Sequence, residues 1–290
     1  MTIWEAALLG VVQGLTEFLP ISSTAHLLVV RELLGHERPE DAFTVVIQLG
    51  TLVAVFAYFR TDIARLAEGF LQDVRTRRIG STPAARLAWL IVLGTIPAVA
   101  IGFRFKKQLK ETFFNVHSIA IVAIVFALLL ALAEWRYRRR ASVRLPRDEA
   151  SIGWRDALWV GLWQACALMP GGSRSGTTIT GGLFAGLSRS AAARFSFLLS
   201  IPIVLGAGLK DLWDEYKKWK SPEPGEAPSL FASGDDVAAL IVGTLVSAAV
   251  GYVAIAWLLH YLQRYSTAAF IAYRLLFGIA ILVALAARGS

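Results

Sequence analysis

Six stretches of about 20 apolar residues recur along this chain, and a helix of that length is what crosses a bilayer core. They run approximately over 42–59, 85–103, 116–133, 192–209, 236–259 and 268–287, with no internal cluster of charge. A soluble domain usually carries roughly 25% charged residues; this one carries 17%, with a mean hydropathy of +0.57. That deficit cannot cover a water-exposed surface, so a soluble globular enzyme is excluded. The expected class is an all-α polytopic membrane protein, one integral membrane domain over 1–290. The net charge of +8 does not point to nucleic acid, because the basic residues sit in short loops between apolar blocks, where they orient spans. The start, Met1-Thr2-Ile3-Trp4-Glu5, lacks a basic leader and is read as part of the fold. The single cysteine, Cys166, lies in an apolar run and is read as filler.

Two further apolar regions are interrupted. Residues 3–34 break at Pro20-Ile21-Ser22-Ser23-Thr24, and residues 153–190 break at Pro170-Gly171-Gly172-Ser173-Arg174-Ser175-Gly176. Each reads as a helix pair that enters the membrane, breaks and leaves by the same face. Non-helical backbone at such depth survives only where protein or a wet cavity satisfies its amides, so the breaks mark a cavity. The two regions also resemble each other. Gly10 and Gln13 recur as Gly161 and Gln164, and Pro20 recurs as Pro170 with a one-residue gap. Counting spans between polar connections at 60–84, 134–152 and 210–235 places the two broken pairs on opposite faces. The expectation is six full transmembrane helices plus two re-entrant pairs in an inverted-topology repeat. Repeat one covers about 1–135 with its pair at 3–34, and repeat two about 150–288 with its pair at 153–190. Lys and Arg are somewhat more numerous on the face holding 60–84 and 134–152, which makes that face cytoplasmic and opens the first pair to the exterior.

The reactive residues gather at the breaks. Gln13 and Glu17 are four apart and share a helix face, and a carboxylate at membrane depth is a functional candidate by default. Ser22, Ser23 and Thr24 stand where N-capping hydroxyls belong, yet His26 follows Ser23 by three residues on the same face. A hydroxyl, an imidazole and a carboxylate are the parts of an activated nucleophile. At the second break, Arg174 lies among Ser173, Ser175, Gly176, Thr177 and Thr178. Glycines let amides approach a ligand, a new helix offers its N-terminus to an anion, and the guanidinium fork matches phosphate oxygens. Arg189 and Arg194, flanking a span, are expected to snorkel. Arg274 falls inside a span and needs a partner that the sequence does not name. His36, His117 and His260 read as interfacial. No HxxxH, HExxH or paired-Asp pattern occurs, so a protein-built metal cage is not expected. Facing breaks would suit attack on phosphorus with charge held by Arg174, on a lipid that reaches the cavity from the bilayer.

At these residues the chain resembles the bacterial undecaprenyl-pyrophosphate phosphatases, the bacitracin-resistance proteins. Gln13 to Thr24 is similar to the family's (E/Q)xxxE motif and the serine segment after it, and Pro170 to Thr178 to its PGxSRSxxT motif. The resemblance continues through Val46-Ile47-Gln48-Leu49-Gly50, Phe195-Ser196-Phe197-Leu198-Leu199 and Tyr273-Arg274. Ala25 departs from the Gly usual before the histidine, which removes no reactive group. The resemblance implies hydrolysis of undecaprenyl diphosphate to the monophosphate, recycling the carrier lipid for cell-wall synthesis in the bacterial inner membrane. It also implies a divalent cation, Mg²⁺ or Ca²⁺, with Glu17 as metal ligand beside substrate oxygens. On this reading Glu17, Ser23, His26 and Arg174 are catalytic: Ser23 is nucleophile, His26 acid/base, and Glu17 base or metal ligand. Gln13, Ser22, Thr24, Ser173, Arg174, Ser175, Gly176 and Thr178 bind the phosphates. Attack by His26 or by water stays open, as does a homodimer. The rival reading is a transporter or flippase of polyprenyl phosphate, since broken helices in inverted repeats are a transporter architecture.

Overall fold

A computed structural model describes residues 1–35, 42–221, 231 and 233–287; His36 and most of the second half of the polar connection 210–235 lie outside them. Among the described residues the regular elements are all helical. In chain order they are α1 (Ile3–Phe18), α2 (Ser23–Leu33), α3 (Ala42–Tyr58), α4 (Arg60–Thr76), α5 (Pro83–Phe113) and α6 (Val116–Ala141). After a short 3₁₀ turn at Glu149–Ser151 come α7 (Trp154–Cys166), α8 (Arg174–Phe184), α9 (Arg189–Lys220), α10 (Gly234–Arg264) and α11 (Ala268–Ala287). Starts follow local chemistry. Thr2 and Glu5 form a capping box on α1, and Asn115, Ser188 and Ser233 cap α6, α9 and α10.

Five of these helices, all but α3 of the six apolar stretches, are long and apolar enough to cross a membrane. The chain is a multi-pass membrane protein. Stretch 42–59 differs from expectation. It forms only the 17 residues of α3, and the axis then turns by 82° into α4, a pair that passes the length and hydropathy requirement only when taken together. The supposed polar connection 60–84 therefore contains a helix. α4 is amphipathic, with Leu66 and Gly69 buried among exposed charges, and it packs on α5. Two spans also run past their apolar windows, α5 to Phe113 and α9 to Lys220. Large side chains on the outer faces, such as Phe103 and Leu276, are exposed as lipid-facing residues are.

Helix boundaries repeat at one offset. α1 and α7 begin 151 residues apart, α2 and α8 begin and end 151 apart, and α5 and α10 do the same. The residue before α2 is Ser22 and the residue before α8 is Ser173, again 151 apart, and both have positive φ, 77° and 65°. Hence no gap is needed between the two segments; only the prolines stand one place apart. Packing exchanges the halves: α1 lies against α10, and α7 against α5. The second crossing is close, for a Cβ at Gly161 would meet Gly94 O at 2.3 Å. α6 packs on α11 and on α8, and α3 on α9. The main core, around Phe18, Phe59, Ile179, Phe195 and Phe197, lies beneath both breaks.

Candidate active site

The two breaks meet. α1 ends on Phe18 because Pro20 cannot continue it, and Glu17 reaches the break from the last turn with 6% of its surface exposed. Its carboxylate receives three hydrogen bonds from three helices. Gln13 Nε2 donates to Oε2 at 3.2 Å from one turn earlier on α1, and Ser23 Oγ, at the first residue of α2, donates to Oε2 at 2.8 Å. From the second break, Arg174 Nη2 donates to Oε1 at 3.0 Å. Arg174 Nη1 donates to Ser196 O at 3.3 Å on α9, while Arg174 Nε is buried with no partner among the described residues. A buried guanidinium nitrogen without an acceptor is costly unless a ligand supplies one.

The remaining expected residues divide. Ser175 Oγ donates to Leu19 O at 3.0 Å, tying the second break to the first. Ser173 Oγ accepts from Gly176 N at 3.1 Å, so it caps α8. Thr178 Oγ1 donates to Arg174 O at 2.7 Å and shares a hydrogen bond with Ser196 Oγ at 2.6 Å. These hydroxyls shape the Arg174 turn. Thr24 is exposed beside Ser23, whereas Ser22 is buried and makes no side-chain cap bond.

His26 stands apart from Ser23. Its Nδ1 lies 2.7 Å from Ser22 O and its Nε2 2.7 Å from Tyr273 Oη. A carbonyl only accepts, so Nδ1 donates to Ser22 O, and Nε2 is engaged by the tyrosine hydroxyl. The ring lies flat against Phe277, centroids 4.2 Å apart. The hydroxyl–imidazole pair expected from the i, i+3 spacing is not formed; the base in contact with Ser23 is Glu17.

Arg274 has partners after all, and they are backbone. Fully buried in α11, it donates from Nη1 to Pro20 O at 3.4 Å and from Nη2 to Gly171 O and Gly172 O, each at 3.1 Å. One guanidinium thus holds both breaks. Gly176 is small for this reason: a Cβ there would meet Arg274 Nη1 at 2.7 Å. The expected snorkelling of Arg189 and Arg194 is also corrected. Arg189 pairs with buried Glu134, and Arg194 with Glu149 at 2.9 Å and Asp62 at 3.0 Å. Their short distance from carboxylates on other helices outweighs the pull of the interface. Ser196 and Tyr273 lie in segments that carry the resemblance, but their contacts, like that of Leu19 O, had no signal in residue type or spacing.

The carboxylate, the serine of one break and the arginine of the other form one continuous constellation in helix order, as the two sequence motifs require. A family model for the bacitracin resistance protein BacA matches residues 6–280. The chain belongs to this family. Among similar proteins, an undecaprenyl-diphosphatase of Chlorobium phaeobacteroides (strain BS1) is 47% identical over 283 residues, covering 97% of this chain and 96% of the relative. One from Prosthecochloris aestuarii is 46% identical over 291 residues, covering 100% and 99%, and one from Chlorobium phaeovibrioides is 48% identical over 286 residues, covering 98% of each. Both motif segments and the clamp residue Arg274 lie inside the span this family model matches.

Proposed function

We propose that this chain hydrolyses undecaprenyl diphosphate to undecaprenyl phosphate and inorganic phosphate, recycling the lipid carrier of cell-wall synthesis and so conferring bacitracin resistance. The observation that carries the chemistry is the Ser23 Oγ–Glu17 Oε2 hydrogen bond of 2.8 Å, with Arg174 on the other carboxylate oxygen. Glu17 takes the Ser23 proton as Oγ attacks the terminal phosphorus. The anhydride bond breaks, undecaprenyl phosphate leaves and takes that proton from Glu17, and phosphate is carried on Ser23. Water then attacks the phosphoserine, Glu17 relays its proton, and Oγ is restored. Arg174, whose Nε lacks a protein acceptor, and the first amides of α8 hold the charge on the phosphate oxygens. His26, with both nitrogens engaged, orients the start of α2 through Ser22.

A divalent cation, Mg²⁺ or Ca²⁺, fits beside this set. Among the described residues no group of three or more His, Cys, Asp or Glu is present. Glu17, the Gln13 amide oxygen and Ser23 Oγ are nevertheless hard donors, and such ions commonly take one carboxylate plus substrate oxygens. A bound cation would supply charge neutralisation on the diphosphate. We read the breaks as tips of two re-entrant pairs in an inverted repeat, supported by the 151-residue offset of helix boundaries and by the equivalent turns at Ser22 and Ser173. We read its location as the bacterial inner membrane, as the family suggests, with the site opening to the periplasm, an orientation supported by the balance of Lys and Arg. Those matched boundaries also favour a second reading, movement of polyprenyl phosphate across the bilayer.

The test is a rapid quench of purified protein with undecaprenyl diphosphate labelled at the terminal phosphate. Label on Ser23, absent in Ser23→Ala, is the expected result. Turnover in Ser23→Ala equal to the parent removes serine from the mechanism. Lipid phosphate crossing vesicles without release of inorganic phosphate would establish the transport reading instead.

A further inference from the structure

α6 leaves its apolar region on a run of arginines, Arg136, Arg138, Arg139 and Arg140, with Arg144 and Arg147 close behind. Two of these guanidiniums are fixed by the far end of α8. Arg140 Nη1 donates to Phe184 O at 2.9 Å, and Arg147 Nη1 to Ala185 O at 3.2 Å, with Arg147 also paired to Asp156 at 2.6 Å. Arg139 lies over the Trp135 ring at 4.1 Å. Neither Arg139 nor Arg144 has a carboxylate at ion-pair distance among the described residues.

Arg139, Arg140, Arg144 and Arg147 line one cavity of about 580 Å³, between the end of α6 and the turn after α8, and no acidic residue among the described ones lines it. Beside them Val143 and Leu145 are 81% and 93% exposed. In water, such a site sets the positive charge of Arg139 and Arg144, which lack a carboxylate partner among the described residues, beside bare apolar side chains. At a membrane surface one ligand satisfies both, because headgroup phosphate stands directly over acyl carbon. Trp135 and Trp154, half exposed nearby, are the side chains that settle at that boundary.

We propose that this cavity binds the phosphodiester headgroup of an anionic phospholipid. Arg139, Arg140 and Arg144 hold the phosphate, and Val143 and Leu145 enter the acyl region below it. The preference for arginine throughout the run suits bidentate phosphate contacts, which lysine does not make. The exposed apolar pair selects a lipid over free phosphate. The anchoring of Arg140 and Arg147 on α8 carbonyls makes this a shaped site rather than diffuse charge. Because α8 carries Arg174 at its other end, the lipid grips the same rigid element that supplies the site arginine. The inference does not depend on the catalytic reading.

The full-length protein in phosphatidylcholine nanodiscs, with trace spin-labelled phosphatidylglycerol or phosphatidylcholine, tests it by the motionally restricted fraction of each label. The parent should prefer phosphatidylglycerol, and Arg139→Gln with Arg144→Gln should lower that preference by about fivefold for each arginine removed. Neither side chain holds another element, and equal thermal unfolding of the parent and this variant verifies that. Arg75→Gln with Arg78→Gln, the same charge removed from another exposed turn, should leave the preference intact. The proposal is overturned by unchanged preference in the first variant, by equal loss in the second, or by displacement of the label by millimolar inorganic phosphate.

Discussion

Glu17 is a carboxylate between two kinds of partner. Arg174 pairs with it at 3.0 Å, and Ser23 offers it a proton at 2.8 Å. Replacing Glu17 by Gln keeps the shape, removes the base and leaves Arg174 without its counter-charge. Phosphate release per folded molecule should fall by about 10²–10⁴-fold, the usual worth of a general base; initial rates on polyprenyl diphosphate, set against the folded fraction, measure this. Tyr273→Phe removes the hydroxyl that meets His26 Nε2 at 2.7 Å. If His26 only orients α2, the rate should drop by less than about tenfold, since one neutral hydrogen bond is worth about 1 kcal/mol. A loss as large as that of Glu17→Gln would make His26 a proton carrier. Chelation by EDTA should abolish turnover, and Mg²⁺ or Ca²⁺ should restore it. The carboxylate and the serine were legible as candidates because ionisable and hydroxyl groups are conspicuous among apolar neighbours. Their pairing was not: spacing along α2 suggested Ser23 with His26, whereas the chain reversal at Pro20 delivers Ser23 to Glu17.

Each break is a place where helix hydrogen bonding stops inside an apolar surround, leaving carbonyls that need donors. Arg274 supplies them for Pro20, Gly171 and Gly172 together. Arg274→Leu keeps α11 apolar but strands three carbonyls, each costing about 1–3 kcal/mol when buried and unpaired. The expected outcome is a large fall in melting temperature in detergent, with loss of activity even at temperatures where the protein remains folded. Gly176→Ala sets a Cβ against Arg274 Nη1. Because that atom ends a flexible side chain, the variant should fold, with a smaller loss of activity than Arg274→Leu. A charged residue within a span announced that it had a partner. It could not announce that the partner was backbone about 250 and 100 residues earlier.

At the scale of the molecule the halves exchange their helices, α1 onto α10 and α7 onto α5, so neither half packs its broken pair by itself. A buried ionic junction helps hold the arrangement. Glu134 of α6 is bonded by Arg138 at 3.0 Å, by Arg189 at the start of α9, and by Thr267 Oγ1 at 2.9 Å just before α11. Glu134→Gln leaves the Arg189 guanidinium without its counter-ion. Breaking a buried pair from one side costs about 3–5 kcal/mol, so melting should occur at markedly lower temperature while the rate per folded molecule stays near that of the parent. A rate that fell in proportion to stability loss at low temperature would tie the junction to catalysis.

The order of apolar segments alone determined that this chain enters a bilayer, where it breaks, and which residues stand at the breaks. Those are local consequences of backbone that must satisfy its own hydrogen bonds in hydrocarbon. Tertiary packing alone decided that α3 turns sharply into α4, that Glu17 receives Ser23 and Arg174, and that Arg274 and Glu134 each join separate helices. Partners far apart in the chain are chosen by which helix faces approach closely, and that choice is made by the shape of the whole bundle.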